Sequence, residues 1–212
     1  MQLPTYINEI KKMREGFAVI AGCDEAGRGP LAGPVVAACV VLDPRDFLRS
    51  RRSGQWWGRV RDSKTVGESE REQLAVLIKQ RSLDFGIGIV SEKIIDRINI
   101  HQASLLAMKK SVQALTTFPD YLFLDGMHAI KNFSVPQETC ISGDSKIISI
   151  AAASILAKVA RDQIMLRLDK IFPQYGFRQH KGYATQLHRD AIRRFGLISA
   201  HRRSFANSAQ KM

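Results

Sequence analysis

The stretch Gly22-Cys23-Asp24-Glu25-Ala26-Gly27-Arg28-Gly29-Pro30-Leu31-Ala32-Gly33-Pro34 connects two apolar runs, residues 17–23 and 35–42. We predict that both runs are strands and that they are neighbours. The second run is apolar without interruption, which is typical of a strand buried on both faces. Adjacent carboxylates repel each other unless a cation or a proton relieves them, and glycines let a backbone approach a ligand closely. The stretch therefore predicts a metal site beside a phosphate site.

The rest of the chain predicts an α/β domain with a mixed sheet. We expect further strands at residues 85–90 and 121–124, and helices within 1–16 and at 68–80, 91–115, 145–172 and 185–195. Short links between the early strands favour antiparallel pairing, and the long helix before residue 121 favours a crossover to a parallel strand. We expect residues 1–172 to form the main domain and residues 173–212 a basic helical C-terminal extension packed on it.

The composition indicates a basic protein of the cell interior. The formal net charge is +12, and residues 131–212 hold 14 basic and 5 acidic residues, a difference of +9. Such a field suits a polyanion, with nucleic acid as the leading candidate; composition alone leaves a merely soluble basic protein equally open. The three widely spaced cysteines indicate free thiols in a reducing compartment. No signal peptide and no apolar run of about 20 residues is evident, so we expect a cytoplasmic protein without a membrane segment.

Residues 43–62 interrupt the pattern of strands and helices. Six arginines surround Trp56 and Trp57 in this stretch. A solvated loop is the favoured interpretation. A nucleic-acid contact is the alternative, because arginine binds phosphate and tryptophan stacks on bases.

Four acids share a position at or just beyond the end of an apolar segment: Asp24, Glu25, Asp125 and Asp144. Hard cations such as Mg²⁺ and Mn²⁺ favour carboxylate oxygens. Four acids could hold two ions about 3.5–4 Å apart, one activating a water and the other stabilising the departing oxygen of a phosphodiester. Each acid also has a structural interpretation, as a turn cap or, for Asp144, a helix N-cap. No histidine–cysteine cluster indicates zinc, no serine lies in a nucleophile elbow, and no phosphate-binding loop for a nucleoside triphosphate is present.

The quoted stretch, extended through Val35-Val36-Ala37-Ala38, closely resembles the opening signature of ribonuclease HII. Asp62-Ser63-Lys64 and Leu124-Asp125-Gly126 are similar to the second and third blocks of that family. The fourth and C-terminal blocks are matched by Gly143-Asp144-Ser145-Lys146 with residues 149–162, and by Lys181-Gly182-Tyr183 with Thr185, His188, His201-Arg202 and Ser204-Phe205.

The resemblance implies a ribonuclease H-like mixed sheet flanked by helices, with a helical C-terminal extension. It implies Mg²⁺- or Mn²⁺-dependent cleavage of RNA in RNA/DNA hybrids and incision 5′ to a single ribonucleotide in duplex DNA, as in ribonucleotide excision repair, leaving 3′-hydroxyl and 5′-phosphate ends. By position, the four acids become metal ligands in a catalytic complex with two ions. Gly27, Arg28 and Gly29 become the turn that contacts the ribonucleotide 2′-hydroxyl. Tyr183 becomes the residue that stacks on the sugar, and Ser63 and Lys64 lie near the phosphates.

Some positions depart from the family pattern. Val60-Arg61 precede the Asp-Ser-Lys block, Thr65 follows it, and Ala184 follows Tyr183. Arg161 and Asp162 form either a pair within the helix or a structural support for the site, which is the favoured interpretation. A binding module without catalysis, ribonuclease HIII and a junction resolvase remain alternatives. We expect a monomer; a partner on replication or repair machinery is left open, with residues 206–212 as a candidate contact.

Overall fold

The computed structural model describes residues 3–48 and 56–205. Its strands are β1 (Ile20–Ala26), β2 (Val35–Leu42), β3 (Ser82–Val90), β4 (Tyr121–Asp125) and β5 (Gln137–Cys140). Its α-helices are α1 (Ile7–Arg14), α2 (Pro44–Leu48), α3 (Glu68–Arg81), α4 (Glu92–Gln113), α5 (Ile148–Ile171), α6 (Phe177–His180) and α7 (Gln186–Phe195). Short 3₁₀ turns lie at Trp56–Arg59, Ser63–Thr65, Gly143–Ser145 and Pro173–Tyr175. Over these described residues, no helix has both the length and the apolar character to cross a membrane.

The strands form one mixed sheet in the order β3-β2-β1-β4-β5. At its centre, β1 pairs antiparallel with β2 and parallel with β4, which confirms the predicted connections. The fifth strand, β5, pairs parallel with β4 and has no counterpart among the predicted strands. Its four residues are polar and at most half-buried, so they lack the apolar pattern that would have identified a strand.

The sheet is covered on both faces. Alternate residues of β2 point to opposite sides, so that Ala37 and Cys39 join the cluster around α4, whereas Ala38 and Val40 join the cluster around α3 and α5. Gly22 lets α5 lie directly against β1, since an added Cβ would overlap backbone atoms of α5. This close approach places α5 side chains at the edge of the sheet where the acids lie.

β1 extends beyond its predicted end. The apolar pattern ends at Cys23, but Asp24 and Glu25 still pair with Ala38 and Ala37 of β2. Backbone pairing does not depend on side-chain polarity, so the strand continues through the acids and holds them rigidly.

The solvated loop predicted at residues 43–62 is wrong for the part that the structure describes. Trp57 is only 7% exposed and its ring lies 5.0 Å from that of Phe47. Trp56 donates its indole N–H to Asp46 at 3.0 Å. Trp57 is therefore a core residue and is unavailable for stacking on a base. Arg49, Arg51 and Arg52 lie outside the described residues.

Two predicted helices differ in detail from those observed. α4 is interrupted at Asn99, whose φ of 67° is not helical and whose side chain accepts from the N–H of Gln102 at 3.1 Å. α5 begins at Ile148, because Gly143–Ser145 forms a separate 3₁₀ turn. Asp144 lies in that turn, so it is not the N-cap of α5.

A buried carboxylate lies at the start of α5. Glu9 of α1 accepts from the N–H and hydroxyl groups of Ser149 at 3.1 and 2.7 Å. Its second oxygen is buried without a hydrogen-bond partner among the described residues. Burial raises the pKa of Glu9 to about 7, although the bonds from Ser149 oppose the shift.

The residues after Pro173 pack against α5 and the turn at 27–34. A hydrophobic cluster joins the three parts through Leu31, Met165, Tyr175, Phe177 and Ile192. His188 and His201 approach each other at 3.1 Å between their Nε2 atoms, and burial lowers the pKa of both to about 4. The division of the chain at residue 172 stays a prediction.

The cysteines bear out the prediction of free thiols. Cys23 and Cys39 are buried opposite each other on β1 and β2, and Cys140 is half-buried.

Candidate active site

A cleft of about 400 Å³ opens at the carboxyl ends of β1 and β4. The two strands are parallel with Cys23 beside Leu124, so Asp24 and Asp125 follow at the same edge of the sheet. The cleft brings together most of the residues predicted for the site, namely Asp24, Glu25, Gly27, Arg28, Gly29, Ser63, Lys64, Asp125 and Tyr183.

Asp144 is the predicted acid that does not line the cleft. It is 8% exposed, and the N–H of Gly143 beside it donates to Asp125 Oδ1 at 2.7 Å. Burial raises the pKa of Asp144, and the charges of Asp62 and Asp125 raise it further. The fourth acid is therefore coupled electrostatically to the third although it stands outside the cleft wall.

Asp24 and Glu25 carry charge that the protein only partly neutralises. Burial raises the pKa of Asp24 well above its ordinary range, and the charges of Glu25 and Asp125 add to this shift. Burial also raises the pKa of Glu25, whereas the ion pair with Arg28 at 3.1 Å opposes the shift. Two carboxylates that burial affects thus meet the half-buried Asp125 at the same edge of the sheet.

Two side chains of α5, Ser154 and Lys158, also line the cleft although the sequence assigned them no role. The hydroxyl of Ser154 lies 2.9 Å from that of Ser63 and stabilises the carboxylate of Asp24. Lys158 follows one turn later and donates to Asp162 at 2.6 Å. Their spacing of four residues on a mostly apolar helix was the signal that could have identified them.

The turn Ser63–Thr65 brings a cation to the acids. Asp62 caps this turn by accepting from the N–H of Lys64 at 2.9 Å. Burial opposes the charge of Lys64, but the carboxylates of Asp62, Asp144, Asp24 and Asp125 outweigh burial and raise its pKa. Asp62, which the sequence analysis did not assign to the site, is thus a fifth acid in the same field.

The donor chemistry of the cleft fits a hard divalent cation. Within residues 3–48 and 56–205, no group of three or more His, Cys, Asp or Glu side chains is already arranged to hold an ion. Mg²⁺ keeps several waters and needs only one or two protein carboxylates, so a preformed cage is not required. A cation beside Asp24, Glu25 and Asp125 would relieve the repulsion that raises the pKa of Asp24.

The glycine turn forms another part of the cleft wall. Gly27 has a φ of +96°, and a Cβ at this position would overlap the side chain of Arg161. Tyr183 is 46% exposed, and one of its ring carbons would lie 3.8 Å from a Cβ on Gly29. An exposed aromatic ring therefore stands beside a stretch of accessible backbone.

Arg161 and Asp162 do not pair with each other. Arg161 is buried and donates to the carbonyl oxygens of Ala32 and Pro34, both at 3.1 Å. Asp162 pairs instead with Lys158 at 2.6 Å and with Arg71 at 3.7 Å. Arg161 thus supports the turn at residues 27–34, and Asp162 fixes the position of Lys158 in the cleft.

Comparison with known proteins gives consistent matches over the cleft. A family model described as ribonuclease HII matches residues 21–208. Ribonuclease HII of Moorella thermoacetica is 48% identical over 200 residues, which cover 94% of this chain and 92% of that protein. Ribonuclease HII of Clostridioides difficile is 47% identical over 191 residues, which cover 90% of this chain and 71% of that protein.

Solved structures share the fold. The ribonuclease H2 of Pyrococcus horikoshii superposes with a TM-score of 0.75 at 24% identity, covering 91% of this chain and 96% of that one. The ribonuclease HII of Archaeoglobus fulgidus, solved in a complex with PCNA, superposes with a TM-score of 0.72 at 26% identity, covering 88% and 94%. The matched range of the family contains every residue of the cleft.

Proposed function

This chain belongs to the ribonuclease HII family of endonucleases, and we propose that it hydrolyses the RNA strand of RNA/DNA hybrids in the cleft described above. We also propose that it incises 5′ to a single ribonucleotide in duplex DNA, leaving a 3′-hydroxyl and a 5′-phosphate. The observation that carries the proposal is the meeting of three carboxylates, of Asp24, Glu25 and Asp125, and a backbone turn, Gly27–Gly29, in one cleft. Cleavage chemistry and recognition of one nucleotide can then occur at the same place.

The acids are proposed as ligands of Mg²⁺ or Mn²⁺. Asp24, Glu25 and Asp125 face the cleft, and Asp144 lies near enough to Asp125 to affect the same ions. Two such ions, when bound, supply an activated water and stabilise the departing oxygen of the phosphodiester. Ser154 orients Asp24, and the β1 backbone fixes the direction of both adjacent acids.

The remaining residues of the cleft bind and orient the substrate in this proposal. Lys64 and Lys158 place positive charge where phosphates would lie, with Ser63 beside them. Backbone N–H groups of the glycine turn would contact the 2′-hydroxyl, which distinguishes RNA from DNA at a single nucleotide. The exposed ring of Tyr183 is suited to stacking on the sugar at the RNA–DNA junction.

The proposed partners are a nucleic-acid substrate and a protein of replication or repair. The basic C-terminal part of the chain favours a polyanionic substrate. Because the A. fulgidus ribonuclease HII was solved in a complex with PCNA, a replication or repair partner is a reasonable proposal for this chain too. The monomeric state and the cytoplasmic location stay predictions from the sequence.

The test combines cleavage with metal binding. We expect the wild type to cut an RNA/DNA hybrid in Mg²⁺ or Mn²⁺ and not in a chelator. Asp125→Asn keeps an oxygen that can accept from Gly143 but loses the charge, so it should lose cleavage, and Mn²⁺ should raise its melting temperature less than that of the wild type.

The matched control is Asp190→Asn, an exposed acid on α7 that pairs with Arg193. This control should keep both cleavage and the Mn²⁺ shift. Cleavage in the chelator, or full cleavage by Asp125→Asn, would overturn the proposal. Binding of the hybrid without cleavage in either metal would favour a binding module.

A further inference from the structure

We infer that Arg202 is a positioning residue that sets the direction of the backbone N–H donors in the turn at Gly27, Arg28 and Gly29. In this way it sets the preference for a ribonucleotide over a deoxyribonucleotide. The inference rests on the proposed function, because it assigns the origin of discrimination at the same cleft.

Arg202 binds backbone carbonyls of residues 27–33 with all of its guanidinium nitrogens, two of them in the turn itself. Nε donates to the carbonyl oxygen of Gly33 at 2.8 Å, Nη1 to that of Arg28 at 2.9 Å and Nη2 to that of Gly27 at 2.6 Å. Its backbone N–H also donates to Leu31 at 2.8 Å. Arg202 is 0% exposed, so water does not compete for these bonds.

Two of these bonds fix the direction of the two peptide units that join Gly27, Arg28 and Gly29, the turn residues that line the cleft. In a planar trans peptide, the carbonyl and the N–H of the same unit point in opposite directions. Because the carbonyls of Gly27 and Arg28 point to Arg202, the N–H groups of Arg28 and Gly29 point away from it. Arg202 does not line the cleft, whereas all three turn residues do. Neither N–H group has a hydrogen-bond partner among the described residues, so both are free to donate to a substrate oxygen.

The turn needs such an external constraint. Each of the two peptide units has a glycine, Gly27 or Gly29, on one side, and glycine has access to conformations that other residues avoid, so either unit can rotate more easily than a unit between two residues with side chains. The guanidinium is planar and presents five N–H donors in a fixed fork. One arginine can therefore hold three carbonyls in a fixed arrangement, which a lysine with a single nitrogen cannot reproduce.

The position of Arg202 is secured from a second side, which supplies a matched control. Asp96 of α4 accepts from the N–H groups of Arg203 and Ser204 at 2.9 and 3.0 Å. Asp96 touches no atom of the turn in these bonds. Asp96→Ala should therefore loosen the C-terminal segment while the fork of Arg202 still holds the turn.

The experiment compares Arg202→Lys, Asp96→Ala and the wild type. Binding is measured in a chelator with two duplexes that differ only in one 2′-hydroxyl, beside melting temperature and single-turnover incision of the ribonucleotide duplex in Mg²⁺. Arg202→Lys should lose about 5- to 30-fold in affinity for the ribonucleotide duplex, which corresponds to one or two hydrogen bonds of about 1 kcal/mol each. Its affinity for the all-DNA duplex should stay within about twofold of the wild type, since that duplex offers no 2′-hydroxyl to the turn. Asp96→Ala should melt earlier but keep the wild-type preference.

A second measurement uses the wild type alone and does not depend on whether a variant folds. The amide protons of Arg28 and Gly29, followed by NMR, should exchange rapidly in the free protein and be protected by the ribonucleotide duplex but not by the all-DNA duplex. Equal protection by both duplexes would overturn the inference. An unchanged preference for the ribonucleotide duplex in Arg202→Lys would also overturn it. The same holds if Asp96→Ala loses this preference in proportion to its loss of melting temperature. Absence of incision by the wild type would instead refute the proposed function.

Discussion

Replacing Gly22 with alanine should disrupt the contact on which the cleft is built. Gly22 lies in β1 where α5 crosses the strand, and an added Cβ would overlap the backbone of Ser149 and Ile150. Backbone atoms cannot rotate away as a side chain can, so α5 itself would have to move. Ser154 and Lys158 belong to α5 and would move away from Asp24 with it.

The expected loss of folding stability in Gly22→Ala is large for the addition of a single methyl group. Overpacking a close contact costs about 1–3 kcal/mol, and contact with backbone places Gly22→Ala at the upper end, at about 3 kcal/mol. A loss of 1 kcal/mol lowers the melting temperature of a chain of this size by about 2–4 °C. We therefore expect a decrease of about 6–12 °C, together with slower cleavage by the molecules that remain folded.

Gly67→Ala provides the matched control. Gly67 has a φ of −59°, and nothing lies within 4 Å of a Cβ added there. Its effect should stay within about 1 kcal/mol, because alanine fits the backbone conformation and only the helix cap changes. The melting temperatures of both variants and of the wild type are measured by calorimetry. A shift in Gly22→Ala no larger than that in Gly67→Ala would refute the argument that close approach of β1 and α5 builds the site.

Three further predictions concern stability and binding. Burial raises the pKa of Glu9 to about 7 in the folded protein, against an ordinary value of 4.5. The folded state therefore holds this proton more tightly than the unfolded state, and the free energy of unfolding of the wild type should fall by about 3 kcal/mol as pH rises through this interval. The glutamine of Glu9→Gln does not titrate, so the melting temperature of this variant should rise relative to that of the wild type between pH 5 and pH 8. A difference between the two melting temperatures that does not change with pH would contradict the prediction. Trp57→Ala should cost about 3–5 kcal/mol, measured by chemical denaturation, whereas a loop residue would cost almost nothing. Tyr183→Ala should leave the melting temperature nearly unchanged, since the ring is 46% exposed, but weaken binding of the ribonucleotide duplex by about fivefold or more.

The sequence predicted the sheet best where burial produced an uninterrupted apolar pattern. β2 occupies residues 35–42, as its apolar run predicts, because both of its faces are covered. The end of β1 was misplaced because Asp24 and Glu25 break the apolar pattern but not the backbone pairing. β5 was missed because an edge strand with a polar sequence resembles a loop.

The acids of the site were predictable, but their surroundings were not. Carboxylates after apolar segments suggested Asp24, Glu25 and Asp125, and the structure places all three in one cleft. The residues that hold them come from distant parts of the chain. Arg202 is 174 residues from Arg28, whose carbonyl it binds, and no periodicity or spacing connects two such positions.

Burial of aromatic and charged residues was the feature that the sequence predicted least well. The arginines around Trp56 and Trp57 favoured an exposed segment, yet Trp57 packs in the core beside Phe47. Arg161 and Arg202 are buried as well, because backbone carbonyls satisfy their donors. Composition reports the average environment of a residue type and cannot identify such exceptions.

The central claim is tested most directly by single-turnover incision of a DNA duplex that carries one ribonucleotide, with the wild type and Asp24→Asn compared in Mg²⁺ and in Mn²⁺. We predict that the wild type cuts once, 5′ to the ribonucleotide, and leaves a 3′-hydroxyl and a 5′-phosphate. Asp24→Asn should bind the same duplex without cutting it. A wild type that leaves the duplex intact in both metals, or an Asp24→Asn variant that cuts it at the wild-type rate, would contradict the account.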